Sequence, residues 1–356
     1  MDAIRLIDLG YAPPFRSQTI YHAVAHALDV YTPDTIILVA PGAPYVCIGF
    51  HQELDKEVDV AYCRLHHLPM VRREVGGGAV YLDSNQHFMQ WVFHQDSLPR
   101  NITERFALYV RPLVETYHRL GIPACYRPVN DIHVEGRKIG GTGAARMGTA
   151  EVVVGSFMFD FNPEVMSQVL KVSSEKMRDK IFHTLNEYMT TMTRELGYTP
   201  NRNATLDIYL EQAQATLGRR IVNGELTACE RALAEDLDRQ FATGEWLYQK
   251  GALRHAGVKI HQDVHVQEVE LKTPGGLVRV IARIRDGRID DMMLSGDFTM
   301  LPTSAAGMLE VALRGTALEA DSIRTCIEDV YLNIAIQSPG LTAKDLTNAI
   351  MRLSKQ

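Results

Sequence analysis

Three consecutive glycines lead directly into an alternating apolar segment in residues 72–83, RREVGGGAVYLD. Such a run permits positive φ and lets the backbone approach a ligand with no Cβ in the way, and its amide N–H groups can form a concave anion site. The spacing is not that of a P-loop. It is also not that of a Rossmann turn, because the segment after the glycines alternates like a strand instead of opening a helix. Taken alone, the run is more typical of a loop without a ligand.

Positive charges on both sides of the glycines change that interpretation. Arg72 and Arg73 precede them, and Lys138 lies between glycines in residues 136–143, GRKIGGTG. Arginine offers a planar fork to phosphate or carboxylate, and lysine adds a compact charge. The combination predicts a pocket for a negatively charged, phosphorylated ligand.

Together the motifs resemble those of the lipoate–protein ligases, in the superfamily of biotin and lipoate ligases and octanoyltransferases. The glycine motif, an Asn-Asp pair and the lysine motif follow one another in the family's order. The resemblance implies that Lys138 is the catalytic lysine and that Arg72 and Arg73 face phosphates. The lipoate- and ATP-binding residues that it implies are Arg72, Arg73, Gly76, Gly77, Gly78, Ala79, Val80, Tyr81, Asp83, Asn130, Asp131, Lys138 and Gly140.

Two positions depart from the family's pattern. Leu82 stands where members commonly have histidine, and Gly140 stands where many have serine. The Tyr-Leu-Asp variant resembles a subgroup linked to sulfur-oxidising bacteria and archaea. Asp131 is a candidate for orienting Lys138, although an Asn-Asp pair before a strand is equally typical of a turn.

The resemblance also implies an α+β fold. We expect a mixed sheet flanked by helices, like that of class II aminoacyl-tRNA synthetases and biotin ligases, followed by a smaller α+β accessory domain. The predicted boundaries are 1–245 for the catalytic lipoate- and ATP-binding domain and 246–356 for the accessory domain, since the pattern changes near Trp246.

Hydrophobic periodicity supplies the local predictions. Residues 79–83 and 87–93 suit an antiparallel hairpin, and a Glu135-Gly136 turn is expected to carry Lys138 onto a strand. The other predicted strands are 35–50, with a break at the turn 41–44, and 70–72, 132–134, 137–139, 152–159, 258–271, 277–284 and 289–298. The predicted helices are 18–30, 55–67, 101–120, most of 162–241, 303–314, 322–335 and 341–353.

The implied reaction has two steps: ATP activates lipoate to lipoyl-AMP, and the lipoyl group then passes to a lysine of an acceptor protein. The implied acceptors are a glycine-cleavage-H-like protein, an E2 lipoyl domain or a lipoate-binding protein of sulfur oxidation. Mg²⁺ is expected with the ATP phosphates, and the sequence indicates no protein ligands for a metal. An apolar tunnel for the lipoate tail is expected from Val80, Val92 and Ile139.

Composition narrows the class of protein. A net charge of -6 argues against nucleic acid as a partner. No apolar run reaches the ~20 residues that span a bilayer, and the N-terminus lacks the pattern of a signal peptide, so we expect a cytoplasmic protein without a membrane partner. Five scattered cysteines without a C-x-x-C motif indicate neither zinc nor a disulfide framework. We expect a monomer.

Three alternatives stay open at this point. An ATP-independent octanoyl- or lipoyl-transferase would use a cysteine acyl-enzyme, and Cys125 lies close to where some transferases have their nucleophile. A biotin–protein ligase would carry arginines between its glycines. A non-catalytic lipoyl-adenylate binding module is favoured only by Leu82.

Overall fold

The strands of the computed structural model, which describes residues 3–250 and 264–355, form three sheets. They are β1 (Ala3–Ala12), β2 (Thr35–Pro41), β3 (Tyr45–Ile48), β4 (Met70–Arg72), β5 (Val80–Leu82), β6 (Gln86–His94), β7 (Ala124–Arg127), β8 (Asp131–Val134), β9 (Arg137–Met147), β10 (Ala150–Met158), β11 (Arg220–Asn223), β12 (Val264–Thr273), β13 (Gly276–Arg285) and β14 (Arg288–Gly296).

The largest sheet in the described ranges has eight strands in the order β11-β1-β2-β6-β10-β9-β8-β7. β1 runs parallel to β11 and β2, and the other neighbours are antiparallel. In the small sheet beside it, β3 lies between β4 and β5. The C-terminal sheet is the antiparallel meander β12-β13-β14. This mixed architecture confirms the predicted α+β class.

Several helices begin after a side chain that accepts hydrogen bonds from their free amide groups. The Asn101 side chain accepts from the amides of Thr103 and Glu104, and the Asn162 side chain caps a helix that starts with Pro163. The helices are α1 (Pro14–His26), α2 (Leu54–Glu57), α3 (Val60–Leu65), α4 (Ile102–Arg119), α5 (Pro163–Val169), α6 (Glu175–Tyr188), α7 (Met192–Leu196), α8 (Arg202–Leu217), α9 (Ala228–Phe241), α10 (Gly244–Leu247), α11 (Ala305–Ala312), α12 (Ala320–Asn333) and α13 (Ala343–Met351), with 3-10 turns at Gln95–Ser97 and Arg352–Lys355.

The eight-stranded sheet buries both of its faces. Successive side chains of a strand point to opposite faces, so Trp91 packs with Tyr109 of α4 on one side, called here the α4 face. Val92 packs on the other side with Val24 of α1, called here the α1 face. The small sheet and the glycine motif lie over the α1 face, which makes this the face that carries the candidate site.

The C-terminal sheet has a core of its own. Val280 and Leu294 pack against Leu309, Ile323 and helix α13. The predicted strands and helices of this region are confirmed, including the Thr342 cap of the last helix. The part of the predicted strand 258–271 before residue 264 lies outside the described residues. The domain boundary at 245 and 246 stays a prediction.

One local prediction is wrong in its pairing. Residues 79–83 and 87–93 do not form a hairpin, because β5 pairs with β3 in the small sheet while β6 pairs with β2 and β10. Both edges of β6 are therefore occupied by partners distant in sequence. The turn between the two strands is present, but the strands separate into different sheets.

Other boundaries differ for physical reasons. The first helix begins at Pro14, whose fixed φ suits a first helical position, and not at residue 18. The predicted break of 35–50 at the turn 41–44 is confirmed, and the two parts, β2 and β3, lie in different sheets. The predicted helix 55–67 is divided into α2 and α3. β11 interrupts the predicted helical stretch 162–241; it is a short, mostly exposed edge strand, so it carries no alternating signal.

Candidate active site

Lys138 is held by a carboxylate of the neighbouring strand. It follows the turn Glu135-Gly136, whose φ angles of 48° and 83° fit the tight hairpin that was predicted. The Lys138 Nζ lies 2.7 Å from Asp131 Oδ1, and the two side chains are 29% and 24% exposed. The lysine charge is therefore both fixed in direction and accessible to a substrate.

Two glycines of β9 show which face of the sheet Lys138 occupies. A Cβ atom at Gly141 would lie 3.1 Å from Lys138 Nζ, and one at Gly143 would lie 3.2 Å from Val75 Cγ2. Residues 141 and 143 point to the same face, about 7 Å apart along the strand. The ammonium group thus shares the α1 face with the residue that immediately precedes the glycines 76–78.

Asn130 ties the start of β8 to β9. Its Nδ2 donates to the Thr142 carbonyl at 2.6 Å, and its own carbonyl accepts from the Thr142 amide at 2.8 Å and hydroxyl at 3.1 Å. This arrangement fixes the backbone from which Asp131 extends. Gly140, by contrast, faces Ile132, and a Cβ atom there would meet it only at ordinary contact distance, 3.7 Å.

The glycine loop, residues 76–78, folds around Arg73. The Arg73 Nη2 donates to the carbonyls of Gly76 and Gly78, both at 2.9 Å, while Gly77 has a φ of 97°. A Cβ atom at Gly49 would lie 1.9 Å from the Gly77 carbonyl oxygen, so only glycine fits beneath the loop. The sequence predicted this loop but not the glycine that supports it.

The buried Arg72 is surrounded by backbone oxygens. Burial lowers its pKa to about 10, which still leaves it charged at neutral pH. Its phosphate-facing role stays a prediction, as does that of Arg73. In this structure the Arg72 guanidinium donates to the carbonyls of Gly49, Phe50, Gln52 and Leu247 at 2.7–3.2 Å.

The strand after the loop is partly buried. Ala79 and Val80 are half-buried, whereas Tyr81 is buried, and burial raises the Tyr81 pKa to about 12. Asp83 Oδ1 accepts from the Asn85 amide at 2.8 Å, and burial raises the Asp83 pKa. Asp83 thus forms a turn, and its contact with a ligand stays a prediction.

The tunnel expected from three apolar residues does not form from those three. Val80 and Val92 belong to the core of the α1 face, but Ile139 belongs to the core of the α4 face. The register between β8 and β9 shifts at this point, since Ile132 lies opposite Gly140 but His133 lies opposite Lys138. This β-bulge interrupts the alternation of β9, so Lys138 shares a face with Gly141 while Ile139 points into the core of the α4 face. Gly141, Gly143 and Val75 lie on the correct face instead, and the sequence reasoning missed them.

The C-terminal sheet covers the glycine loop. A Cβ atom at Gly76 would lie 2.6 Å from the Phe298 carbonyl oxygen and 2.8 Å from Thr299 Cα. The His51 ring stacks on Phe298 at 4.6 Å between centroids, and the Gly296 amide donates to the His51 carbonyl at 3.1 Å. Both parts of the chain therefore contribute to the walls of this site.

The charged segment 173–180 lies mostly in α6, which Ser174 caps. After that helix, Met189 pairs with Lys138 as an isolated bridge, and the Thr190 amide donates to the Lys138 carbonyl at 2.9 Å. The described side chains of residues 173–180 are mostly exposed, whereas the residues that follow α6 contact the strand that carries Lys138.

Few side chains in the described ranges could bind a metal ion or act as a nucleophilic thiol. No group of three His, Cys, Asp or Glu side chains there could hold a metal ion, and all five cysteines are free. Cys125 is exposed on β7 directly opposite His133, which in turn lies opposite Lys138. None of the helices described is long and apolar enough to cross a bilayer.

Comparison with known families decides the assignment. A model of the lipoyl protein ligase A/B catalytic domain matches residues 13–214, and a model of the bacterial lipoate protein ligase C-terminus matches residues 266–350. The chain belongs to the lipoyl protein ligase A/B family. The family resemblance predicted from the motifs is thereby confirmed.

Relatives within the lipoyl protein ligase family carry two different activities in their names. An octanoyltransferase LipM of Kyrpidia tusciae is 29% identical over 70% of this chain and 100% of its own length. Lipoate–protein ligase 2 of Staphylococcus aureus is 25% identical over 92% of this chain and 95% of its own. A solved bi-partite lipoate protein ligase from Thermoplasma acidophilum, described with its E2 lipoyl domain, has a TM-score of 0.64 and 25% identity, over 71% of this chain and 100% of that one.

Proposed function

We propose that this protein is an ATP-dependent lipoate–protein ligase, which activates lipoate to lipoyl-AMP and transfers the lipoyl group to a lysine of an acceptor protein. The Lys138–Asp131 pair carries the proposal, since it presents one positive charge on the face of the sheet that the glycine loop covers. The similarity to a ligase along 92% of the chain supports the same activity.

In the first step, a lipoate carboxylate oxygen attacks the α-phosphorus of ATP, and the bond to the β-phosphate oxygen breaks as pyrophosphate leaves. Negative charge increases on the phosphoryl oxygens, so catalysis depends on positioning and electrostatic stabilisation. Lys138 would bridge the carboxylate and the α-phosphate. Amides of the glycine loop would enclose the adenylate, with Arg72 and Arg73 near the phosphates.

In the second step, the ε-amine of the acceptor lysine attacks the carbonyl carbon of the mixed anhydride. The bond to AMP breaks, an amide forms, and the amine loses its proton to solvent. Lys138 would stabilise the oxyanion of this step as well. A single fixed charge at Lys138 would serve both steps if the lipoyl carbonyl is held beside it throughout.

Magnesium would be held mainly by the phosphates of ATP, because this ion is usually bound through substrate phosphates and one or two carboxylates. No group of three His, Cys, Asp or Glu side chains in the described ranges could hold a metal ion. Mg²⁺ would enter only as part of the MgATP substrate, bound by the phosphates.

The proposed acceptor is a protein that presents one lysine for modification: an H-like protein, an E2 lipoyl domain or a lipoate-binding protein of sulfur oxidation. We also propose that the protein is a cytoplasmic monomer, that its two domains divide between residues 245 and 246, and that it belongs to the sulfur-oxidation subgroup. Incubation with ATP, lipoate and each carrier, followed by mass spectrometry of the carrier, identifies the acceptor by a lipoyl mass increase.

The decisive test compares two lysine variants. Lys138→Ala should lower AMP–lipoate and pyrophosphate formation by about 10²–10³-fold, the loss typical for one group that stabilises transition-state charge. The exposed Lys344 on α13 provides the control, because Lys344→Ala should retain the full rate. Near-normal activity of a folded Lys138→Ala protein would end the proposed role. Tight lipoate binding by the unaltered protein without turnover on any carrier would indicate a binding module instead.

A second candidate, acyl transfer through a cysteine, is favoured by Cys125. This thiol is exposed and paired in register with His133, whose Nδ1 lies 3.1 Å from the Gly136 carbonyl and whose Nε2 has no hydrogen-bond partner among the described residues. A transferase would form a Cys125 thioester from an acyl-thioester donor and release the donor thiol. The octanoyltransferase name of one relative is consistent with this chemistry.

The two candidates separate in one experiment. With ATP and free lipoate, a ligase releases pyrophosphate and tolerates Cys125→Ser. With an octanoyl thioester and no ATP, a transferase acquires an octanoyl group that Cys125→Ser abolishes. Mass spectrometry of the intact protein distinguishes these outcomes.

A further inference from the structure

Two buried polar atoms, one on α1 and one on β6, lie where these elements pack on the α1 face. The Tyr21 hydroxyl and Gln90 Oε1 have no hydrogen-bond partner among the described residues, and the two side chains are 0% and 1% exposed. A buried polar atom without a partner is costly, and such atoms in native proteins usually bind a ligand or an ordered water. We therefore expect a ligand or an ordered water to bind both atoms.

Both residues belong to one local region. Gln90 Nε2 donates to the Ser17 carbonyl at 2.8 Å, and Tyr21 lies one helical turn beyond Ser17 on α1. Burial raises the pKa of Tyr21, so the hydroxyl keeps its proton and remains a donor. Gln90 Oε1 is only an acceptor. The region thus offers one donor and one acceptor at the same depth of the core.

The sheet register connects this region to Lys138. Gly143 pairs with Val154 of β10, and Val154 pairs with Gln90 of β6, so the three lie in one row on the α1 face. Gly141, which lies beside Lys138 Nζ, is two residues along β9 from Gly143, the first member of that row. Two residues along a strand and two strand spacings across the sheet correspond to about 12 Å.

This separation suits a medium-chain acid whose carboxylate meets Lys138. An extended eight-carbon chain is about 9 Å long, at the advance per bond of an extended backbone, and a contact at each end accounts for the rest. Gly141 and Gly143 leave a strip of strand without side chains, and Val75 lies above it. A tail that starts on this strip and crosses β10 at Val154 would reach Gln90, next to α1 and Tyr21.

We propose that Tyr21 and Gln90 are specificity residues that recognise sulfur at the far end of the acyl tail and so select lipoate over octanoate. This proposal rests on the proposed function. A dithiolane sulfur is a weak acceptor for the Tyr21 hydroxyl, and a thiol of the reduced form can donate to Gln90 Oε1. Octanoate ends in a methyl group and leaves both atoms unpaired, which a site with buried polar groups rejects.

The test is the ratio of octanoate to lipoate dissociation constants, measured by calorimetry on the full chain. Tyr21→Phe should lower this ratio about fivefold, the factor that one neutral hydrogen bond contributes, and Gln90→Leu should lower the corresponding ratio for reduced lipoate. Tyr117→Phe is the matched control, because Tyr117 is equally buried but lies on the α4 face. Its ratio should not change.

The outcomes separate this proposal from the proposed function. An unchanged ratio in folded Tyr21→Phe and Gln90→Leu proteins would overturn the tail assignment alone and would assign the two atoms to buried water. If the unaltered protein bound neither acid, the proposed function would fail together with the tail assignment. Thermal melts of each variant establish that it is folded.

Discussion

The substitution Gly141→Ala tests whether the position of the Lys138 ammonium group controls the reaction. The new methyl would lie 3.1 Å from Lys138 Nζ, 3.2 Å from its Cε and 3.4 Å from Asp131 Oδ1. These contacts are tighter than most real Cβ contacts, so the lysine must move by a few tenths of an ångström. The 2.7 Å hydrogen bond to Asp131 is then lengthened or lost.

The expected loss in rate follows from the strength of the Lys138–Asp131 hydrogen bond. A charge-assisted hydrogen bond contributes about 1.5–3 kcal/mol net, and we use the lower value because solvent reaches about a quarter of each side chain. That value corresponds to about tenfold in rate. Displacement of a catalytic group by up to 1 Å extends the loss to about 100-fold. We therefore expect AMP–lipoate formation to slow by about 10- to 100-fold.

The assay is single-turnover formation of AMP–lipoate, together with urea unfolding. The free energy of unfolding should fall by no more than about 1.5 kcal/mol, the value of the lost hydrogen bond, since Gly141 has no positive φ that alanine would strain. Gly307→Ala on α11 is the control, because a methyl there meets no atom within 4 Å and Gly307 has no part in the proposed site. A full rate in Gly141→Ala, or equal losses in both variants, would refute the reasoning.

Three further predictions follow from the surroundings of the site. Arg72→Met should lower the free energy of unfolding by about 3 kcal/mol or more, because it leaves several buried carbonyls without a donor; an increase in KM for ATP at unchanged stability would favour the phosphate role. Gly76→Ala should speed hydrogen exchange at residues 76–78 and 297–299, since its methyl collides with the Phe298 carbonyl; unchanged exchange would contradict that contact. Burial lowers the His51 pKa to about 3, below an unfolded value of about 6.5, so the unfolded state binds the proton first and stability falls as pH drops from 6.5 towards 3. His51→Phe keeps an aromatic ring at this position. Between pH 6.5 and 5, its free energy of unfolding should therefore fall by about 2 kcal/mol less than that of the unaltered protein, as measured by urea unfolding at each pH.

Local chemistry in the sequence determined the motifs and most elements of this protein. The glycines 76–78, the turn before Lys138 and the caps of α4 and α13 act within a few residues of themselves, so their conformation follows from neighbours in the chain. The order of the motifs was also sufficient to predict the family. These features require no knowledge of which strands pair.

Tertiary structure alone decided which side chains meet. The separation of β5 from β6, the Lys138–Asp131 contact and the position of Gly49 beneath the glycine loop all depend on partners distant in sequence. A β-bulge opposite Ile132 and His133 interrupts the alternation of β9, which is why Ile139 was assigned to the wrong side. Burial of Arg72 among carbonyls has the same origin, because those oxygens come from other segments of the chain. A pattern along one segment indicates an alternation, but only the assembled sheet determines which face is enclosed.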